Sequence, residues 1–110
     1  MDELIRTYLH DILNSINEIA SYFEDKPRIF SDFCKDIKTK RAVQRNLEII
    51  GEAINRILKI SPGFEIQNSR QIIDLRNRII HSYDNISDEI IWGIILKHIP
   101  LLKKEIEEYL

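Results

Sequence analysis

The segment from Leu75 to Asp84 holds the side chains of this sequence that are best suited to chemistry. Two arginines, an asparagine, a histidine and a tyrosine stand near the end of an amphipathic pattern, namely Arg76, Asn77, Arg78, His81 and Tyr83. A neutral imidazole, with an ordinary pKa of about 6.5, can accept the proton of an RNA 2′-hydroxyl group at neutral pH. A guanidinium can hold a phosphate through two hydrogen bonds and stabilise the negative charge of the transition state. These residue types therefore suit phosphodiester cleavage in RNA, with His81 as the proton acceptor and Arg76 as the phosphate ligand.

The spacing of these residues limits how they can meet. On a continuous helix Arg76 and His81 lie about 140° apart around the axis, so they meet only if the helix loosens near His81 or if a second chain supplies the partner. Asn77 is one turn from His81 and can orient either group, and Tyr83 is nearly eclipsed with Arg76. The same residues are equally compatible with a histidine that caps the helix end and arginines that face the solvent.

Other kinds of site find little support in the sequence. A two-metal nuclease needs several convergent carboxylates, whereas Asp74, Asp84 and Asp88 are scattered, so we expect no metal and no other cofactor. The single cysteine, Cys34, excludes an internal disulfide and a cysteine-cage zinc site. Lys35 beside it would lower the pKa of the thiol, but we expect Cys34 to act as a small buried hydrophobic group.

The charge of the chain restricts its partners. The 110 residues carry 16 Lys and Arg against 18 Asp and Glu, a net charge of −2, so any contact with a nucleic acid must be local. A basic stretch would form such a patch if it packed beside Arg76 and Arg78, and a solvated helix start is an equal alternative. The stretch contains Lys35, Lys38, Lys40, Arg41 and Arg45.

Export and membrane insertion are not expected. The amino terminus carries Asp2, Glu3 and Arg6, which is wrong for a signal peptide. The longest apolar run, Ile90–Leu96, is far shorter than the roughly 20 residues that a membrane span needs. We therefore expect a cytoplasmic chain with no membrane partner.

Apolar residues recur every three or four positions along most of the chain, which predicts helices rather than strands. We predict an all-α, up-and-down bundle of four to five helices in a single domain of residues 1–110. The predicted caps are Ser31, Thr39 and Ser87, and Pro100 is expected to bend the last helix. The predicted helices cover about 2–24, 32–37, 39–61, 69–80 and 87–109.

The last helix is apolar around more than half of its circumference, from Ile90 to Leu102. One apolar face is enough to cover a core, so this helix has to cover two neighbours. We predict that the second neighbour is another copy of the chain, which makes a homodimer. The alternative is a helix buried centrally within one chain.

The residues from Arg76 to Tyr83, RNRIIHSY, match the RX4HXY motif of the HepT-like members of the HEPN superfamily. The segment from Arg45 to Ala53, RNLEIIGEA, resembles the corresponding part of the family's preceding long helix. The motif stands at a helix end about two thirds along an all-helical chain, so the resemblance covers nearly the whole sequence.

The resemblance implies a single HEPN domain that acts as a metal-independent endoribonuclease. Such proteins are homodimers with the two motifs facing a shared cleft, and they are the toxin halves of type VII toxin–antitoxin pairs. It implies that Arg76 and His81 are the catalytic pair. We also expect Asn77 and Arg78 to be substrate-binding residues, with RNA rather than DNA as the substrate. The resemblance also implies that a minimal nucleotidyltransferase antitoxin (MntA-like) attaches AMP to Tyr83 and thereby inactivates the enzyme.

Two other readings of the same residues remain open. In the first, the chain is a non-catalytic nucleotide-binding or regulatory subunit of a minimal nucleotidyltransferase, which would bind nucleotide and leave RNA intact. In the second, the motif is a helix cap and the chain serves only as a dimerisation domain, so that changes at Arg76 and His81 would affect stability alone.

Overall fold

The computed structural model describes residues 1–81 and 86–110, and these residues form helices and no β-strand. The helical elements are α1 (Glu3–Ser21), α2 (Phe30–Lys35), α3 (Ile37–Ile60), α4 (Ser69–His81), α5 (Asp88–Gly93), a π-helical turn (Ile94–His98) and α6 (Ile99–Tyr109). Helix α3 packs against α1, α2 and α4, and α6 packs against α1. The prediction of an all-α helical bundle is confirmed, whereas the homodimer stays a prediction.

The core consists of the apolar stripes that the sequence indicates. Because the buried residues of α3 recur every three or four positions, this helix turns one continuous stripe towards the core. The fully buried large side chains are Leu9, Ile12, Ile16 and Ile19 of α1; Val43, Leu47, Ile50, Ile54 and Ile57 of α3; and Ile91, Ile95 and Ile106 near the carboxyl end. Helix α3 is therefore the element against which α4, the motif helix, is positioned.

Two of the predicted helix caps are wrong. Helix α2 begins at Phe30, so Ser31 lies inside its first turn, and no side chain of the described residues caps it. Asp36, rather than Thr39, caps α3, because its carboxylate accepts hydrogen bonds from the backbone N–H (3.0 Å) and the hydroxyl (2.6 Å) of Thr39. A carboxylate is the stronger acceptor, and these hydrogen bonds lower the pKa of Asp36.

The last predicted helix is interrupted by a change of hydrogen-bond register. Ser87 caps α5 as predicted, since its hydroxyl oxygen accepts a hydrogen bond from the backbone N–H of Ile90. The π-helical turn then precedes α6, and the N–H of Ile99 donates to the carbonyl of Ile94, five residues back. Pro100 has no N–H to donate and stands at the start of α6. A π-helical turn therefore stands just before Pro100, and the expected bend at Pro100 stays a prediction.

The wide apolar arc of the last helical segment is only partly covered within one chain. Trp92 packs against an aromatic cluster, with ring centroids 5.8 Å from Phe23 and 5.0 Å from Phe33. Exposed apolar side chains remain on the same segment: Ile90 (43% exposed), Leu96 (44%) and Leu101 (65%). One chain therefore leaves part of the apolar surface of this segment exposed.

Within residues 1–81 and 86–110, no helix combines the length and the apolar character that crossing a membrane requires.

Candidate active site

Arg76 lies on the side of α4 that faces α3, and Gly51 makes room for it. A β-carbon added at Gly51 would overlap the β-carbon of Arg76, lie 2.9 Å from its γ-carbon and 3.2 Å from the carbonyl oxygen of Ile72. Any residue other than glycine would therefore push the two helices apart or displace the arginine stem. From the sequence alone, Gly51 had no predicted role beyond its place in the segment from Arg45 to Ala53.

The guanidinium of Arg76 is held by two neighbouring side chains. Its Nη2 atom lies 2.7 Å from Oε2 of Glu52 on α3, and its Nη1 donates a hydrogen bond of 2.9 Å to Oδ1 of Asn77. The second carboxylate oxygen of Glu52 accepts a hydrogen bond of 2.8 Å from Nε of Arg56. Glu52 is therefore shared between two arginines.

Glu52 was missed at the sequence level. Two features of the sequence could have pointed to it. Glu52 stands four residues before Arg56, a spacing at which opposite charges pair along one face of a helix, and it directly follows a glycine in a long helix. These features predict the pairing with Arg56 but not the pairing with Arg76, because the latter depends on how α3 and α4 lie against each other.

The Nε atom of Arg76 is buried and has no hydrogen-bond partner among the described residues. The side chain as a whole is 22% exposed, so the exposed part lies elsewhere on the side chain. An unpaired buried N–H group costs free energy.

The exposed side of Arg76 opens into a cleft of about 270 Å³ between α1, α3 and α4. The cleft is lined by three carboxylates and three arginines, so its charges sum to zero. Nη1 of Arg45 lies 3.9 Å from Oε2 of Glu48 in a further ion pair. Hydrogen bonds to Tyr8 and to Glu52 raise the pKa of Arg56. The polar and charged lining residues are Tyr8, Asp11, Arg45, Glu48, Glu52, Arg56 and Arg76.

His81 is the last residue of α4 and is exposed. Because α4 stays α-helical through His81, the helix does not loosen before this residue. Helical geometry then separates it from Arg76 by about 140° around the axis and about 7.5 Å along it. Within one chain the structure therefore joins Arg76 to Asn77 and directs His81 to another side of α4.

The remaining motif residues divide between two surfaces. Arg78 lines a larger groove of about 540 Å³ between α4 and the last helical segment, together with Asp74, Lys97 and His98. Asn77 is exposed beside Arg76. Tyr83 lies outside the described residues, as do Asp84 and Asn85, which the sequence analysis expected to form a turn.

The basic stretch between positions 35 and 45 contributes one residue to the cleft that contains Arg76, which is Arg45. Lys40 is instead paired with Asp88 at 3.1 Å and donates to the backbone carbonyl of Cys34. Cys34 is half-buried, and burial, with Asp88 next in importance, raises the pKa of its thiol. The raised pKa is opposite to the effect expected from Lys35, and Cys34 is less buried than expected.

No group of three or more His, Cys, Asp or Glu side chains in the described part of the chain is arranged to hold a metal ion.

Comparisons show that the chain is similar to ribonucleases over most of its length. The family described as "Ribonuclease HepT-like" matches residues 12–109. A protein of Methanocaldococcus jannaschii named "Putative RNase MJ0127" is 38% identical over 109 residues, covering 94% of this chain and 85% of the relative. "Putative RNase TTE0752" of Caldanaerobacter subterraneus subsp. tengcongensis is also 38% identical, covering 96% and 93%. "Probable ribonuclease HepT" of Thermococcus cleftensis is 33% identical, covering 94% and 93%. No solved structure matches the chain significantly.

Proposed function

Because the chain belongs to the HepT-like ribonuclease family, we propose that it is a metal-independent endoribonuclease and the toxin half of a type VII toxin–antitoxin pair. The observation that carries the proposal is the placement of Arg76, whose guanidinium is fixed by Glu52 and Asn77 and lines an open cleft. A fixed guanidinium in a cleft suits the recognition of an RNA phosphate.

In the proposed reaction, His81 accepts the proton of the RNA 2′-hydroxyl group. The 2′-oxygen forms a bond to the adjacent phosphorus, and the bond from phosphorus to the 5′-oxygen breaks. The departing 5′-oxygen takes a proton from water, and the hydroxide so formed takes the proton from His81, which leaves a cyclic phosphate, a 5′-hydroxyl end and a neutral histidine. Arg76 stabilises the negative charge on the phosphate oxygens during this step, and Asn77 and Arg78 bind the substrate.

The proposed enzyme is a homodimer whose active site uses both copies. The regular α4 helix separates Arg76 from His81 within one chain, and a second copy related by twofold symmetry supplies the missing partner. Ile90 and Arg78 line the same groove, so the exposed apolar surface of α5 continues to the side of α4 that carries Arg78. A second copy packed over this groove would cover the apolar surface and lie on the side of α4 that also carries His81, about 60° from Arg78 around the axis.

The proposed regulation is the attachment of AMP to Tyr83 by a minimal nucleotidyltransferase antitoxin. Tyr83 is two residues from His81 in the sequence, so the AMP phosphate would lie close to the histidine. Its negative charge repels the RNA phosphate and engages the arginines of the motif. The modification therefore silences the enzyme by charge and by bulk.

The proposal is tested by RNA cleavage with EDTA-treated protein and with the variants His81→Ala and Arg76→Ala. We expect the EDTA-treated protein to cleave RNA, and each variant to lose about 100-fold or more in rate. Arg70→Ala is the matched control, because it removes one exposed positive charge from the same helix. Equal cleavage by the wild type and both variants would contradict the catalytic roles of Arg76 and His81. A wild type that binds nucleotide but leaves RNA intact would instead favour a regulatory subunit.

A further inference from the structure

We infer that Glu52 is a positioning residue, which fixes the orientation of the Arg76 guanidinium for the scissile phosphate. The inference rests on the proposed function of Arg76 as the phosphate ligand. It assigns a role to a residue outside the motif, on a different helix, through an ion pair of 2.7 Å.

The stem of Arg76 leaves the guanidinium little freedom. Its β- and γ-carbons lie over Gly51, in the space that a side chain at position 51 would occupy. Its Nε atom is buried against the protein. Packing therefore fixes the Arg76 side chain from Cβ to Nε, and only the orientation of its terminal Nη groups remains to be set.

Glu52 and Asn77 set the orientation of the Nη groups, because each of them contacts one Nη atom. The two Nη atoms carry four protons between them. One of these is donated to Asn77, and Glu52 contacts Nη2 as an ion pair, so at least two remain for other acceptors. Since Nε is buried, a phosphate must be bound through these remaining Nη protons, in the orientation that Glu52 imposes.

The charges around Glu52 distinguish two possible roles: Glu52 could orient Arg76 for the phosphate, or it could occupy the place of the phosphate. Glu52 lies between Arg56 at 2.8 Å and Arg76 at 2.7 Å, so one negative charge is shared by two positive charges. Although the six charged side chains that line the cleft sum to zero, Glu52 is shared with Arg56 and does not by itself neutralise Arg76, which can still attract a phosphate. A carboxylate that merely occupied the phosphate site would instead have to be displaced by RNA.

The kinetic test uses Glu52→Ala and Glu52→Gln. If Glu52 positions Arg76, Glu52→Ala lowers kcat by about 10- to 100-fold with a much smaller change in KM. Glu52→Gln lowers kcat less, because the amide has nearly the same size as the carboxylate and keeps an oxygen that can contact Nη2. A lower KM with kcat unchanged or raised would show that Glu52 competes with RNA, and would overturn the inference.

A second measurement needs no RNA and follows the Arg76 side chain directly. In ¹⁵N-edited NMR spectra the Nε–H signal of Arg76, assigned as the one missing in Arg76→Lys, should exchange with water much more slowly than that of the exposed Arg70. We expect Glu52→Ala to speed this exchange by at least about tenfold, because the side chain loses its anchor.

Glu48→Gln is the matched control for the exchange measurement, because it removes a carboxylate one turn away on α3 in the same cleft. It should leave the exchange of the Arg76 Nε–H at the wild-type rate. Unchanged exchange in Glu52→Ala would overturn the positioning role even if the wild type cleaves RNA. Conversely, slow exchange in a wild type that does not cleave RNA would contradict the proposed function alone.

Discussion

Arg76 of the motif helix lies directly across Gly51 of the central helix, with its β- and γ-carbons in the space that a side chain at position 51 would need. The contact joins α3 and α4 at the residue proposed to bind the RNA phosphate. The next residue on α3, Glu52, holds the guanidinium at the other end of the same side chain. Changes in the packing of α3 against α4 are therefore transmitted to the proposed phosphate ligand.

The first prediction concerns this contact. We expect Gly51→Ala to lower the free energy of unfolding by about 1–3 kcal/mol, because the new methyl group overlaps the stem of Arg76 rather than a flexible side-chain end. We also expect faster exchange of the Arg76 Nε–H. Urea denaturation measures the first effect, and NMR measures the second.

Gly93→Ala is the control for this substitution. Gly93 is also helical, and an added β-carbon meets no atom of the described residues within 4 Å. Alanine is favoured over glycine in a helix by about 1 kcal/mol, so this variant should be as stable as the wild type or more stable. Equal stability of Gly51→Ala and Gly93→Ala would contradict the tight contact at Arg76.

The second prediction concerns the cap of α3. The hydrogen bonds from Thr39 hold the pKa of Asp36 below its ordinary value of 3.8. A lowered folded-state pKa means that this stabilisation is present above pH 3.8 and is lost as the pH falls through the folded-state value. We therefore expect Asp36→Asn to melt below the wild type at pH 7, and the difference to shrink towards pH 3. A difference that stays constant between pH 7 and pH 3 would contradict the pKa direction.

The sequence predicted the helices well where the signal is local. The apolar spacing of α3 and the Ser61-Pro62-Gly63 segment after it are sufficient to predict where this helix runs and ends. The caps were harder, because Asp36 and Thr39 are both good cap residues and only the backbone geometry decides between them.

The candidate site was predictable only in part. Motif spacing predicted Arg76 and His81 as site residues, and helical geometry showed that their side chains diverge. The partnership of Glu52 with Arg76 joins two helices, and no local periodicity encodes which faces of two helices meet. The π-helical turn before Pro100 was not predictable for a related reason, since the choice between a bend and a register change depends on packing.

The third prediction concerns Tyr83. A Tyr83→Phe variant lacks the hydroxyl oxygen to which AMP would be attached. Incubated with ATP and the cognate minimal nucleotidyltransferase, the wild type should gain AMP and lose RNA cleavage, whereas Tyr83→Phe should gain none and stay active. Intact-mass measurement detects the modification. Equal modification of the two proteins would place the attachment site elsewhere.

The central claim is that Arg76 of one copy and His81 of the other serve the same scissile bond. Arg76→Ala and His81→Ala are each expected to be inactive alone, as homodimers in which every site lacks one partner. A mixed dimer of the two variants contains one complete site, with Arg76 from one chain and His81 from the other.

The most direct measurement is therefore RNA cleavage by the two variants refolded together in equal amounts. Random pairing makes half of the dimers mixed, each with one of two sites complete, so we expect about a quarter of the wild-type activity. Separate refolding followed by mixing just before the assay is the control, and it should show no recovery while the chains remain paired with themselves. A co-refolded mixture as inactive as either variant alone would contradict a site shared between two copies.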